Sequence, residues 1–180
     1  MKRDQLEHVL RAAARIVDQR DFLVVGSAAI LATFDDDRLP YEASRSDEAD
    51  LAPYDDADGQ KSLRVEGSLG QGSQFHTTFG YYVDGVDFRT ALAPESWEER
   101  LVAFETPGTE PGRGWCLECH DLAAAKLAAG RDKDYEFVDA LVGADLLDLG
   151  VLVERIELLP RDRVLPAYLA RARTWVKTRS

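Results

Sequence analysis

Glu48 and Asp50 stand two positions apart in Ser46-Asp47-Glu48-Ala49-Asp50-Leu51. On an extended chain, alternate side chains leave from one face, so both carboxylates would project together. Like charges held that close are unfavourable unless a cation lies between them. Hard oxygen ligands with open space beside them suit Mg2+ or Mn2+ together with phosphates. A third carboxylate, Asp87, falls in Gly85-Val86-Asp87-Phe88-Arg89-Thr90, which reads as a later strand. Three carboxylates on neighbouring strands would hold divalent ions and leave one oxygen as general base for an attacking hydroxyl.

The elements that must position these groups follow from local pattern. Val24-Val25-Gly26-Ser27-Ala28-Ala29 is a short β-branched run followed by a residue without a Cβ, which reads as a buried strand over 22–25, a Gly26-Ser27 turn and a short helix over 28–34. Backbone N–H groups at that helix start would seat an anion such as a triphosphate, and the same residues also read as a tight turn capped by Ser27. A packing helix is expected over 3–19 from Leu6, Val9, Leu10, Ala13, Ile16 and Val17. A second strand is expected over 48–53, a helix over 55–69 and a turn over 71–74. Strands at 79–83 and 86–90 would be joined by an Asp84-Gly85 hairpin turn. A helical turn at 94–101 and a strand at 115–117 follow. Helices are expected at 120–129, 132–142, 145–159 and 166–177, with breaks at Gly130 and Pro160. Lys126, Arg131 and Lys133 on these helices would meet phosphates or pair with Asp132, Asp134 and Glu136.

Composition narrows the class. The chain has 180 residues, 45% of them apolar and 31% charged, which is ordinary for a globular protein with one real core. It has no apolar run of about 18 residues that would cross a bilayer. Met1-Lys2-Arg3-Asp4 passes straight into a charged amphipathic pattern, so no membrane association and a cytoplasmic location are expected. The net charge of -11 argues against broad binding to nucleic acid. From Asp35 to Asp58 ten acidic residues face two arginines, whereas from Arg155 to Ser180 seven basic residues face two acids. That basic tail reads as a solvated helix face or as a local polyanion contact. Cys116-Leu117-Glu118-Cys119-His120 matches the c-type haem spacing C-x-x-C-H. The only methionine is Met1, and three histidines with two cysteines make a poor tetrahedral zinc set, so a reduced, partly buried cysteine pair is expected.

Val25-Gly26-Ser27 followed by Ser46-x-Glu48-Ala49-Asp50-Leu51 resembles the signature of the polymerase-β-like nucleotidyltransferase superfamily, a Gly-Ser turn before an acid-x-acid strand. Ser73-x-Phe75-His76-x-Thr78-Phe79-Gly80-Tyr81-Tyr82 and the segment from His120 to Asp134 resemble an uncharacterised bacterial family of that fold. They are more distantly similar to the nucleotidyltransferase toxins of abortive-infection toxin–antitoxin systems. Glu48 stands where the superfamily usually has aspartate. The resemblance implies an α+β fold, a mixed sheet flanked by helices, with a core over 1–117 and a helical C-terminal region over 118–180. It implies transfer of a nucleotidyl group from a nucleoside triphosphate to a hydroxyl of RNA, protein or a small molecule, with a cognate antitoxin as a further partner. Glu48 and Asp50 would hold Mg2+ or Mn2+, Gly26, Ser27, Arg131 and Lys133 the phosphates; Asp87 would be the base and Lys126 the charge stabiliser. The rival expectation, favoured by the strong negative charge, is a non-catalytic member of the fold that acts as a binding or regulatory partner.

Overall fold

The computed structural model describes residues 1–87 and 92–179. Its order is α1 (Arg3–Val17), β1 (Asp21–Val24), a 3-10 helix (Ser27–Ala32), α2 (Tyr41–Ser44), β2 (Glu48–Pro53), α3 (Gln60–Leu69), α4 (Gln74–Phe79) and β3 (Tyr82–Gly85). There follow a 3-10 turn (Trp97–Arg100), β4 (Val102–Phe104), β5 (Arg113–Cys116), α5 (Cys119–Ala129), α6 (Asp132–Gly143), α7 (Leu149–Glu157) and α8 (Pro166–Lys177). The fold is α+β, built on a five-stranded mixed sheet in the order β3-β2-β1-β5-β4. β1 runs antiparallel to β2 and parallel to β5, and β2 runs parallel to β3.

Strand alternation divides the sheet into two faces. Phe22, Val24, Leu51, Val83 and Cys116 point to one face, are buried, and pack with the apolar stripe of α1 and with α3. By the same alternation Leu23, Glu48, Asp50, Ala52, Asp84 and Trp115 share the other face. Among the C-terminal helices α5 is the hub, touching α6, α7 and α8 as well as the 3-10 helix after β1. Its Leu122, Ala123, Ala124, Leu127 and Ala128 are all buried, as expected for a helix enclosed on every side.

Several expectations are corrected. Asp84-Gly85 is not a hairpin turn: both residues lie inside β3, in register with Asp50 and Leu51 of a parallel neighbour. Parallel neighbours need a crossover, and α3 and α4 supply it. Phe79 therefore ends α4, which is capped by the Ser73 hydroxyl and closed by Gly80 at φ 78°. Of the strand expected at 86–90, Val86 and Asp87 follow β3 outside any strand, and 88–90 lie outside the described residues. The helix after Gly26 is a six-residue 3-10 helix with no side-chain cap, so the Ser27 cap is not formed. The helix expected from 145 begins at Leu149, because Asp148 accepts from the N–H groups of Gly150 and Val151 and Asp145 is left-handed at φ 57°. Edge strand β4 is three residues long and carries too little pattern to be foreseen.

The C-x-x-C-H segment is a structural staple. Glu118 caps α5, accepting from the N–H groups of His120 (3.0 Å) and Asp121 (3.2 Å). The Cys119 thiol donates to the same carboxylate at 3.0 Å, and His120 Nδ1 lies 2.7 Å from it. His120 Nε2 accepts from Asp148 N–H at 3.0 Å, tying α5 to α7 and leaving neither ring nitrogen for a metal. Burial raises both thiols well above their ordinary range. Burial alone would raise Glu118 too, but its bonds from His120 and Cys119 outweigh that and hold it at about 2. A carboxylate depressed in the native state stabilises fully above its ordinary value of 4.5 and loses that contribution as pH falls toward 2. Glu118→Ala is expected to cost about 1–2 kcal/mol at pH 7. The gap to the parent should shrink between pH 4.5 and about 2, as measured by urea unfolding across that range.

Candidate functional site

Asp50 is the centre of the site. Its side chain occupies the space a Cβ at position 26 would need: such an atom would lie 1.5 Å from Asp50 Oδ2 and 2.6 Å from its Cγ. Only glycine fits there, which explains the Gly26 of the turn. Val25 N–H donates to the Asp50 carbonyl at 3.2 Å and fixes the turn beside β2. Glu48 lies two residues away on the same face, as expected for the acid-x-acid strand. Asp84 of β3 is directly opposite Asp50 in the register. Burial first, and then the charges of Glu48 and Asp84, push Asp50 up to about 6. Burial and Glu48 raise Asp84 as well.

Asp87 is not part of this group. It lines a separate surface cavity with Asp56, Ser62 and Val86, at the far end of β3. The offset follows from the register: once Asp84-Gly85 is strand rather than turn, Asp84 and not Asp87 meets the Glu48 and Asp50 row.

Opposite the carboxylates stands a basic wall. Lys126, on α5, is partly buried and donates to Ser27 Oγ at 3.0 Å, lies 3.5 Å from Asp134 Oδ1 and sits over the Phe137 ring at 4.5 Å. Burial lowers its pKa, and Asp134 partly restores it. Asp134 is fully buried, and Arg131 grips it with Nε at 2.6 Å and Nη2 at 3.1 Å. Burial would raise Asp134, but the Arg131 and Lys126 contacts prevail and lower it. Arg45 pairs with Glu136 across α2 and α6, and Lys133 is exposed with no ion-pair partner among the described residues.

Carboxylates and cations face one cleft of about 420 Å³, lined by Gly26, Ser27, Glu42, Arg45, Ser46, Glu48, Asp50, Lys126, Arg131, Lys133 and Asp134 among others. That is within the usual size of a small-molecule site, about 300–1,000 Å³. The structure thus brings together seven of the eight expected site residues and leaves out Asp87. Sequence reading missed Asp84, Tyr82 and Arg45 and, from the residues themselves, took Asp134 as a surface ion-pair partner. The first two come to the row through the parallel register of Tyr82-Val83-Asp84 against Glu48-Ala49-Asp50, which neither segment shows by itself. Tyr82 OH donates to Glu48 Oε2 at 2.9 Å; burial and that carboxylate push the phenol up to about 12, so it remains a donor.

Other charged features resolve as structure. The basic tail is largely paired: Arg173 and Arg161 with Glu157, Arg171 with Asp132, and Arg179 with Asp139. Among the described residues the one tight group of potential metal ligands is Glu118, Cys119 and His120, the staple described above. No described helix is long and apolar enough to cross a membrane.

An α+β sheet with an acid-x-acid strand beside a Gly-Ser turn, flanked by helices, places the protein in the nucleotidyltransferase class. The chain belongs to the family described as "nucleotidyltransferase of unknown function" (DUF6036), whose profile matches residues 4–159. Comparison with curated proteins and with solved structures returned no match.

If Gly26 is glycine because Asp50 fills its Cβ space, the two positions must be coupled. Gly26→Ala is expected to destabilise by about 1–3 kcal/mol. In an Asp50→Ala background the cost should mostly vanish, since only the Cβ contact at 3.1 Å remains. A double-mutant cycle of chemical unfolding reads this directly; additive costs would contradict the coupling.

Proposed function

We propose that the protein binds a nucleoside triphosphate in this cleft and transfers its nucleotidyl group to a hydroxyl of RNA, a protein or a small molecule. A cognate antitoxin is the added partner if the activity serves a toxin. The observation that carries the reading is that Glu48 and Asp50, the latter pushed up to about 6, line one cleft with Lys126, Arg131 and Lys133.

The donor set fits Mg2+ or Mn2+, because it is all hard oxygen and its mutual repulsion is what a bound cation would relieve. Glu48 and Asp50 would hold the ion, which when bound neutralises triphosphate charge. Gly26 keeps the backbone close enough for Asp50 to reach the cleft. Lys126, Arg131 and Lys133 offer positive charge to the phosphates, and Arg131 and Lys126 are pre-set by the buried Asp134. Asp84, next in register to Asp50, takes the proton of the acceptor hydroxyl. That oxygen forms a bond to the α-phosphorus, the bond from the α-phosphorus to its bridging oxygen breaks, and pyrophosphate leaves.

Calorimetry with ATP, CTP, GTP and UTP plus Mg2+, and transfer of α-phosphate label to total RNA, protein or small-molecule acceptors, test the reading. Wild type is expected to bind at least one nucleotide, and Glu48→Ala/Asp50→Ala to bind none. Asp84→Asn should keep binding and lose about 100-fold or more in transfer. Asp87→Asn should lose far less. Absence of binding to any nucleotide would overturn the proposal, and binding without transfer would favour a non-catalytic role.

A further inference from the structure

Glutamate carries one more rotatable bond than aspartate, so a Glu ligand needs something to fix its carboxylate before it can serve as a preset donor. Here that something is visible. Tyr82 is the register partner of Glu48 on the adjacent parallel strand, and its hydroxyl donates to Glu48 Oε2 at 2.9 Å. The tyrosine is itself held. His76 packs against its ring with centroids 4.9 Å apart. His76 is fixed in turn by Gly72 N–H donating to Nδ1 at 3.0 Å and by its own N–H donating to the Ser73 hydroxyl at 3.1 Å. A rigid chain therefore runs from the start of α4 through Tyr82 to one oxygen of Glu48. Among the described residues Glu48 Oε1 has no hydrogen-bond partner.

We infer that Tyr82 is the positioning residue of the metal site: it ties Oε2 of Glu48 to β3 and so presets Oε1 as the donor to a divalent cation, with His76 bracing the phenol. This rests on the proposed function, in which Glu48 and Asp50 hold the ion. Partners of this kind behind metal-binding carboxylates typically change metal affinity by about 10–100-fold when removed.

The test is titration of the full chain with Mn2+ alone, following free ion by electron paramagnetic resonance, on wild type, Tyr82→Phe, Glu48→Asp and the double variant. Tyr82→Phe removes the hydroxyl and keeps the ring against His76, so its metal-free melting temperature should stay near that of wild type. Its Mn2+ affinity is expected to fall about 10-fold or more. In the Glu48→Asp background the same change should matter less than about 2-fold, because the shorter arm does not reach the phenol. A purely structural role would give equal losses in both backgrounds. If Glu48→Asp binds too weakly to titrate, the cycle is read from the rise in melting temperature at millimolar Mn2+, where weak sites still register. Equal Mn2+ affinity of Tyr82→Phe and wild type, or equal losses in both backgrounds, overturns the inference alone. A wild type that binds no Mn2+ overturns the metal site itself and this inference with it.

Discussion

Placing Asp50 against the α-carbon of Gly26 is the constraint on which the rest of the site depends. It puts a carboxylate on a sheet face beside two others, and burial with mutual repulsion makes that arrangement unfavourable for an isolated chain. The fold tolerates it by surrounding the row with matched groups: Tyr82 on Glu48, and across the cleft a wall of cations held by a buried acid. Each of those supports comes from a different element, β3, α5 and α6. The mixed sheet and its helical cover thus earn their arrangement from one crowded strand end.

Much of this was legible in the residues themselves. Gly26, Ser27, Glu48 and Asp50 were readable because a short β-branched run before a glycine, and acids at a spacing of two, have local physical meanings. The helices at 132–143 and 166–177 were nearly complete in their periodicity. What local pattern misjudged was the stretch from Phe79 to Asp87. Asp-Gly is a strong turn signal in isolation, yet here a parallel partner strand and an α-helical crossover override it. Register between distant strands is not written in either strand, so Asp84, which lies opposite Asp50, was passed over for Asp87 three residues further along. Asp134 was taken for a surface ion-pair partner because an acid next to Arg131 and Lys133 gives no local sign of being fully buried.

Two features that look like chemistry turn out to be architecture. The C-x-x-C-H run spends its glutamate on a helix start, its second thiol and one histidine nitrogen on that glutamate, and the other histidine nitrogen on the link to α7. The basic C-terminal helix meets, besides the counted Glu157 of α7, Asp132 and Asp139 of α6, which sequence-local charge counting leaves out because they lie upstream of the counted segment. At the cleft, by contrast, Lys126 and Arg131 share the single buried acid Asp134, and Lys133 has no ion-pair partner among the described residues, so positive charge there exceeds the acid it touches.

The central strand also sets an order of assembly. β1 pairs on one side with β2, but on the other with β5, where Phe22 meets Gly114 and Val24 meets Cys116. During synthesis the strand that leads into the Gly-Ser turn therefore stays one-sided until Cys116 has been made, and Lys126 and Asp134 come later still. An emerging chain holds its acidic row before it holds the cations that face it. Long-range pairing of this kind slows folding, so nascent and truncated forms of the protein pass through a stage with one edge of the sheet open to other chains.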